Sequence, residues 1–197
     1  MNSFLRLCVA LLAILVASCG TSPPVHYYNL EAPVVTGTAD GPDATMVGMG
    51  PFRIPEYLKK SRIVTRGAGT EILINEQARW AEPLNRAIHR VLAANVDQQM
   101  SDVIAVAYPY LETIEIDYAV LGQVERFDSD QSGRVLLVVQ WGVVDETRHP
   151  LIIPQRSSYE SRASDPNDPD QIARAMNDAL NHFSQDIAGQ LKKALAD

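Results

Sequence analysis

The clearest periodic signal lies at the end of the chain. Ile172, Met176, Leu180, Phe183, Ile187, Leu191 and Leu195 recur at steps of three and four, so they share one face of a helix about seven turns long. Pro169 and Asp170 stand where a first turn favours proline and negative charge, and Lys192 and Lys193 where a last turn favours cations. Trp80, Leu84, Ile88, Val91, Leu92 and Val96 predict a second helix, with Pro83 in its first turn and Arg86, Arg90 and Asp97 off the stripe. Between the helices the period drops to two. Residues 114–127 alternate as a long strand with one buried face, 135–144 are more uniformly apolar and hence central, and 153–161 form a third strand. Asp128 to Gly133 and Asp145 to Pro150 are polar connections, which makes these strands a β-meander. Shorter strands are predicted at 27–30, at 44–49 (closed by Gly48, Gly50 and Pro51) and at 104–108, with a hairpin of 62–66 and 71–75 around Gly67-Ala68-Gly69. Residues 55–58 predict a single helical turn, 33–43 a loop rich in Gly, Pro, Thr and Asp, and 164–170 a linker into the last helix. The pattern is α+β: a mixed, mostly antiparallel sheet including a C-terminal β-meander, packed by two main amphipathic helices.

The head of the chain follows another logic. Arg6 precedes an uncharged apolar run, Leu7 to Ala17, which is shorter than the roughly 20 residues of a membrane span and fits a secretory signal. It ends in Val16-Ala17-Ser18-Cys19, which resembles the lipobox of bacterial lipoproteins. That resemblance implies a signal peptide over 1–18, a diacylglycerol and an N-acyl chain on Cys19, and a stable membrane anchor. Residues 19–26, with Pro23-Pro24, read as the lipidated cysteine and a short stiff tether, and 27–197 as one domain. Gly20, where aspartate would favour retention in the inner membrane, points to the outer membrane.

Composition narrows the function. The 197 residues carry 17 basic and 24 acidic side chains, a formal charge of −7, which argues against nucleic acid as a partner. The two cysteines, Cys8 and Cys19, both lie in the signal region, so a four-cysteine zinc site is excluded. His26, His89, His149 and His182 are separated by 63, 60 and 33 residues, and none has a partner at the spacing of helical metal ligands. His89 and His182 are expected at surface or boundary positions of their helices. No Gly-x-Ser-x-Gly elbow, dinucleotide fingerprint or phosphate loop is present. Glu115 and Asp117, spaced by two, read as a solvated strand face, and Asp165, Asp168 and Asp170 as helix capping. The expectation is a protein that is not an enzyme and uses no metal or cofactor beyond the lipid on Cys19.

The remaining motifs carry a family resemblance. After the lipobox come Tyr27-Tyr28-Asn29-Leu30, then Val47-Gly48-Met49-Gly50-Pro51-Phe52-Arg53-Ile54-Pro55-Glu56-Tyr57-Leu58, then Arg79-Trp80-Ala81-Glu82-Pro83-Leu84 and Arg126-Phe127-Asp128. This order resembles the ABC-type transport auxiliary lipoprotein family (PqiC-like), with Lys59-Lys60-Ser61 where relatives often carry Asp-Arg-Pro. The resemblance implies a lipoprotein on the periplasmic face of the outer membrane. It would be a subunit of an MCE-type ABC lipid transport system, docking or supporting the trans-envelope lipid conduit and membrane integrity. The implied partners are an MCE-domain periplasmic protein and, through it, an inner-membrane transport component; a homo-oligomer or ring follows only by analogy with ring-forming MCE proteins. A periplasmic lipid-binding carrier with an apolar cavity is the alternative. Phe52, Arg53, Tyr57 and Trp80 are the candidate partner-docking residues. Prolines 51 and 55 would present the first three on a rigid loop, or the segment merely connects strand to helix over the core. Trp80 reads more readily as a core anchor than as a binding hot spot.

Overall fold

The computed structural model describes residues 23–32 and 44–196. The signal region with Cys8 and Cys19, the start of the tether, the 33–43 loop and Asp197 lie outside the described residues. The strands are β1 (His26–Tyr28), β2 (Thr45–Arg53), β3 (Arg62–Arg66), β4 (Ile72–Trp80), β5 (Val103–Ala107), β6 (Tyr118–Asp130), β7 (Arg134–Asp145) and β8 (Pro150–Arg162). A 3₁₀ turn spans Glu56–Lys59, and the helices are α1 (Leu84–Gln99) and α2 (Pro169–Ala194).

All eight strands form one sheet. The hairpins β3–β4, β6–β7 and β7–β8 are antiparallel, and the β6–β7 and β7–β8 ladders are the longest. Around them β1 joins β4, β5 joins β2, and β2 and β3 each join β6, all in parallel. β2 pairs with the first half of β6 and β3 with its last residues. The mixed sheet and C-terminal meander therefore agree with the alternation in the sequence. Both helices pack against this sheet and against each other. Val120, Val124 and Phe127 of β6, with Val135, Leu137, Val139, Trp141 and Val143 of β7, face Met176, Leu180, Phe183 and Ile187 in one core. Asp168 caps α2: its side chain accepts from Asp170 N at 2.9 Å, with Pro169 in the first turn.

Four boundaries differ from the sequence expectation, each for a local reason. Trp80 ends β4 rather than opening a helix; its N–H donates to Ser61 O at 2.6 Å, and α1 begins after Pro83. The helical spacing from Trp80 to Leu84 thus runs across a strand end. The 44–49 strand does not stop at its glycines. It continues to Arg53 through a cis Gly50–Pro51 bond, and the disturbance appears as a register shift between Met49 and Phe52. Residues 114–117 precede β6 instead of belonging to it: Ile114 N closes a turn on Leu111 O, and Asp117 docks on Met46 through its N–H at 3.0 Å and its carboxylate at 2.7 Å. Asp128, Ser129 and Asp130 remain in β6, because two arginines meet Asp128 on the sheet.

Candidate functional site

The Gly48–Leu58 segment organises one end of the sheet. A Cβ on Gly48 would collide with the Tyr110 ring. Gly50 lies at φ +116°, and a Cβ there would sit 2.8 Å from Tyr108 Cβ and 3.0 Å from His89 Cδ2. The two glycines therefore admit the loop after β5, whose Tyr110 hydroxyl donates to Gly50 O at 2.5 Å. Burial pushes the Tyr110 phenol up to about 12.

His89 of α1 ties this corner together. Its Nε2 accepts from Phe52 N at 2.9 Å, so its Nδ1 carries the proton and donates to Tyr108 O at 3.0 Å. The ring is 2% exposed, which corrects the surface position expected for it, and burial lowers its pKa. His182 is exposed, as its helical position suggested. Edge-to-face contacts continue the packing on both sides of His89. Tyr110 meets Tyr108 at 5.5 Å, Tyr108 meets His89 at 5.7 Å, Phe52 meets Phe183 at 5.7 Å and Phe183 meets Trp141 at 5.4 Å between centroids. Phe52, Trp141 and Phe183, with Leu180 and Ile187, fill the space between sheet and long helix where the carrier reading places an apolar cavity.

The four docking candidates separate. Phe52 is 2% and Trp80 6% exposed, so both are core side chains and neither is presented to a partner. Tyr57 is half-buried; its hydroxyl donates to Asp128 Oδ2 at 2.6 Å, and its phenol is pushed up to about 12, first by burial and then by that carboxylate. Arg66 Nε at 2.9 Å and Arg126 Nε at 2.8 Å donate to the other oxygen of Asp128, which is fully buried. The 3₁₀ turn thus locks onto the β3–β6 junction. The Trp80 motif has a similar role: Glu82 holds Arg90, and Arg90 donates to Leu30 O at 2.8 Å, fixing the segment after β1. Only Arg53 among the four is exposed and makes no ion pair among the described residues.

Arg53 stands between two adjoining grooves. One, of about 560 Å³, runs past Lys59, Asn85 and Tyr108; the other, of about 480 Å³, crosses Leu121, Gln140 and Pro154 to Arg148. Pro51, Arg53 and Gln123 line both, so together they make one trough. Arg148 was not visible as a candidate in the sequence. It sits in the β7–β8 turn at φ 69°. Asp145 Oδ1 holds that turn by accepting from Thr147 N and His149 N, each at 2.9 Å. Glu115 is exposed, and the aspartates at 165, 168 and 170 serve turns, the helix cap and Arg174. Among the described residues no three metal-ligating side chains cluster, and no helix is long and apolar enough to cross a membrane.

The residues thus build an α+β scaffold with both helices packed on the sheet and a cation-flanked trough that runs from the start of α1 across β6 and β7. The chain belongs to the ABC-type transport auxiliary lipoprotein family, whose model, described as the ABC-type transport auxiliary lipoprotein component, matches residues 28–188. Among solved structures it is similar to an uncharacterized protein, at 17% identity and a TM-score of 0.70, over 86% of this chain and 99% of that one. It is also similar to protein XCC0632 from Xanthomonas campestris, of family DUF330, at 18% identity and a TM-score of 0.65, over 86% and 96% of the two chains. At these identities the likeness shows the fold. No curated protein sequence matches the chain.

Proposed function

We propose that this chain is an outer-membrane-anchored periplasmic lipoprotein subunit of an MCE-type ABC lipid transport system, docking the distal end of the trans-envelope conduit. The family match over residues 28–188 carries the reading. The lipobox supports it by supplying Cys19 as the attachment point for a diacylglycerol and an N-acyl chain, with Gly20 favouring the outer membrane. The role is that of an interaction subunit: an anchor, a short tether and a rigid scaffold. Its partners are an MCE-domain periplasmic protein and, through it, the inner-membrane component, and the chain works singly or as a ring of copies.

Crosslinking in intact cells, followed by purification of the full chain from fractionated membranes, tests this. The expected result is an MCE-domain protein in the crosslinked product and the lipoprotein in the outer-membrane fraction. Recovery without any MCE-domain protein, under conditions that preserve a known complex of that type, would refute it.

A further inference from the structure

We propose that the trough between Arg53 and Arg148 takes an extended acidic segment of a partner protein. Charge is the first argument. On the same sheet, Arg126, Arg134 and Arg156 each meet a carboxylate, Asp128, Glu160 and Glu125, at 2.8 Å. Arg53 and Arg148 meet none among the described residues, yet both line one trough on a chain whose formal charge is −7. Two unneutralised guanidiniums beside one cleft, on an otherwise acidic protein, complement an anionic ligand.

The backbone at Arg148 is the second argument. A β-carbon residue at φ 69° is disfavoured, and glycine or asparagine fits such a turn better. Arginine stands there against the local conformational preference, in a turn that Asp145 pins, and its guanidinium reaches the trough. The floor is suited to a peptide. Leu121 and Pro154 offer apolar contacts, and the amides of Gln123 and Gln140, opposite each other in the β6–β7 register, can meet peptide N–H and C=O groups.

Position along the sheet favours a protein segment over the anchoring bilayer, and this step rests on the lipid anchor at Cys19. β1 is parallel to β4, β4 antiparallel to β3, and β3 parallel to β6, so β1 runs opposite to β6. The chain therefore enters β1 from the end of the sheet where β6 finishes at Ser129 and Asp130. The trough lies at Leu121 and Gln123, about 20 Å away along β6. It lies toward the opposite end of β6 from that entry.

The test uses the full-length chain anchored in phosphatidylcholine nanodiscs. The probe is a fluorescein-labelled dodecapeptide of alternating Asp and Leu, read by anisotropy against the same peptide with Asn for Asp. The acidic peptide is expected to bind at least tenfold tighter, and less tightly as salt rises. Arg53→Gln and Arg148→Gly should each weaken it about three- to tenfold. Arg148→Gly should at the same time raise Tm by about 2–4 °C, which separates lost recognition from lost folding. Equal binding of the two peptides, or unchanged binding by both variants, would overturn the proposal. So would displacement of the peptide by phosphatidylglycerol vesicles through the same two arginines, which would assign the trough to lipid. Because the probe is synthetic, failure to recover an MCE-domain partner in cells leaves this result intact.

Discussion

His89 offers the sharpest check on how the corner of the sheet is held. Its two ring nitrogens satisfy one donor and one acceptor, Phe52 N and Tyr108 O, at 2.9 and 3.0 Å, in a site where the ring is 2% exposed. His89→Phe keeps most of the volume and removes both partners. Each buried backbone group left unpaired costs about 1–3 kcal/mol, so the variant should lose about 2–5 kcal/mol, or roughly 5–15 °C in Tm for a domain of this size. The histidine also carries a pH signature. Burial lowers its folded pKa below the unfolded value of about 6.5, so the folded state prefers the neutral ring. Its contribution is complete above about pH 6.5. It declines as pH falls below that value, by at most about 1.4 kcal/mol per pH unit, until the folded pKa is reached. Urea unfolding of wild type and His89→Phe from pH 5 to 8 isolates the effect, because the other titrating groups cancel in the difference. The gap between the two proteins should narrow toward pH 5. A variant within 0.5 kcal/mol of wild type, or a gap that does not change with pH, would refute the assignment of His89 as a neutral, doubly bonded staple.

Four other expectations follow from single sites. Gly50→Ala, at φ +116° with a Cβ 2.8 Å from that of Tyr108, should destabilise by more than about 2 kcal/mol in urea unfolding, whereas Gly69→Ala, which meets no neighbour within 4 Å, should cost less despite its own φ of +62°. Asp128→Asn removes the charge that Arg66 and Arg126 share and replaces one of the two oxygens accepting from Tyr57 and the arginines with a donor; because both arginines keep some contact with solvent, the loss should be about 1–3 kcal/mol, seen as a lower urea midpoint with unchanged m-value. Asp168→Ala should cost about 1 kcal/mol by uncapping α2, measured as a drop in Tm. Cys19→Ser should abolish incorporation of labelled palmitate and release the chain from sedimented membranes.

Periodicity made most of the architecture legible. The stripe from Ile172 to Leu191 is buried as one face, and the meander appears with its turns close to the polar stretches that announced them. What failed to show was long-range polar pairing. Asp128 reads as a loop residue because an isolated aspartate favours turns, and nothing local reveals that Arg66, 62 residues away, will meet it. His89 reads as a surface histidine because its two partners are backbone groups from β2 and the loop after β5, which sequence does not bring together. Trp80 mimics a helical position because a strand end and a helix start happen to fall four residues apart. The Gly-x-Gly-Pro pattern was visible as a motif, but its reason, space for Tyr108 and Tyr110, belongs to tertiary packing. Of the candidate docking residues only Arg53 stays exposed, and its partner in the trough, Arg148, is signalled by no sequence pattern, since positive φ at an arginine is a property of the folded turn.

The distribution of ion pairs on the sheet bears on why that trough is cationic at all. Arg134–Glu160 and Arg156–Glu125 join side chains that remain substantially exposed, and pairs of that kind add little to stability. Their effect is on the field: each cancels a charge that would otherwise dominate its patch of the sheet. β8 carries this alternation of charge along its outer edge together with Pro150 and Pro154, a combination that discourages further strand pairing there. Neutralised arginines beside the trough leave Arg53 and Arg148, the two that line it, as its local source of positive potential, and the surplus of acidic residues elsewhere on the chain repels an anionic segment from other landing places. Specificity in such a design comes as much from the silenced arginines as from the two that line the trough, so converting Glu125 to Gln should free Arg156 and broaden binding of the acidic peptide beyond the trough. The measurable consequence is a Glu125→Gln variant in which Arg53→Gln no longer weakens the acidic peptide as much as it does in the parent chain.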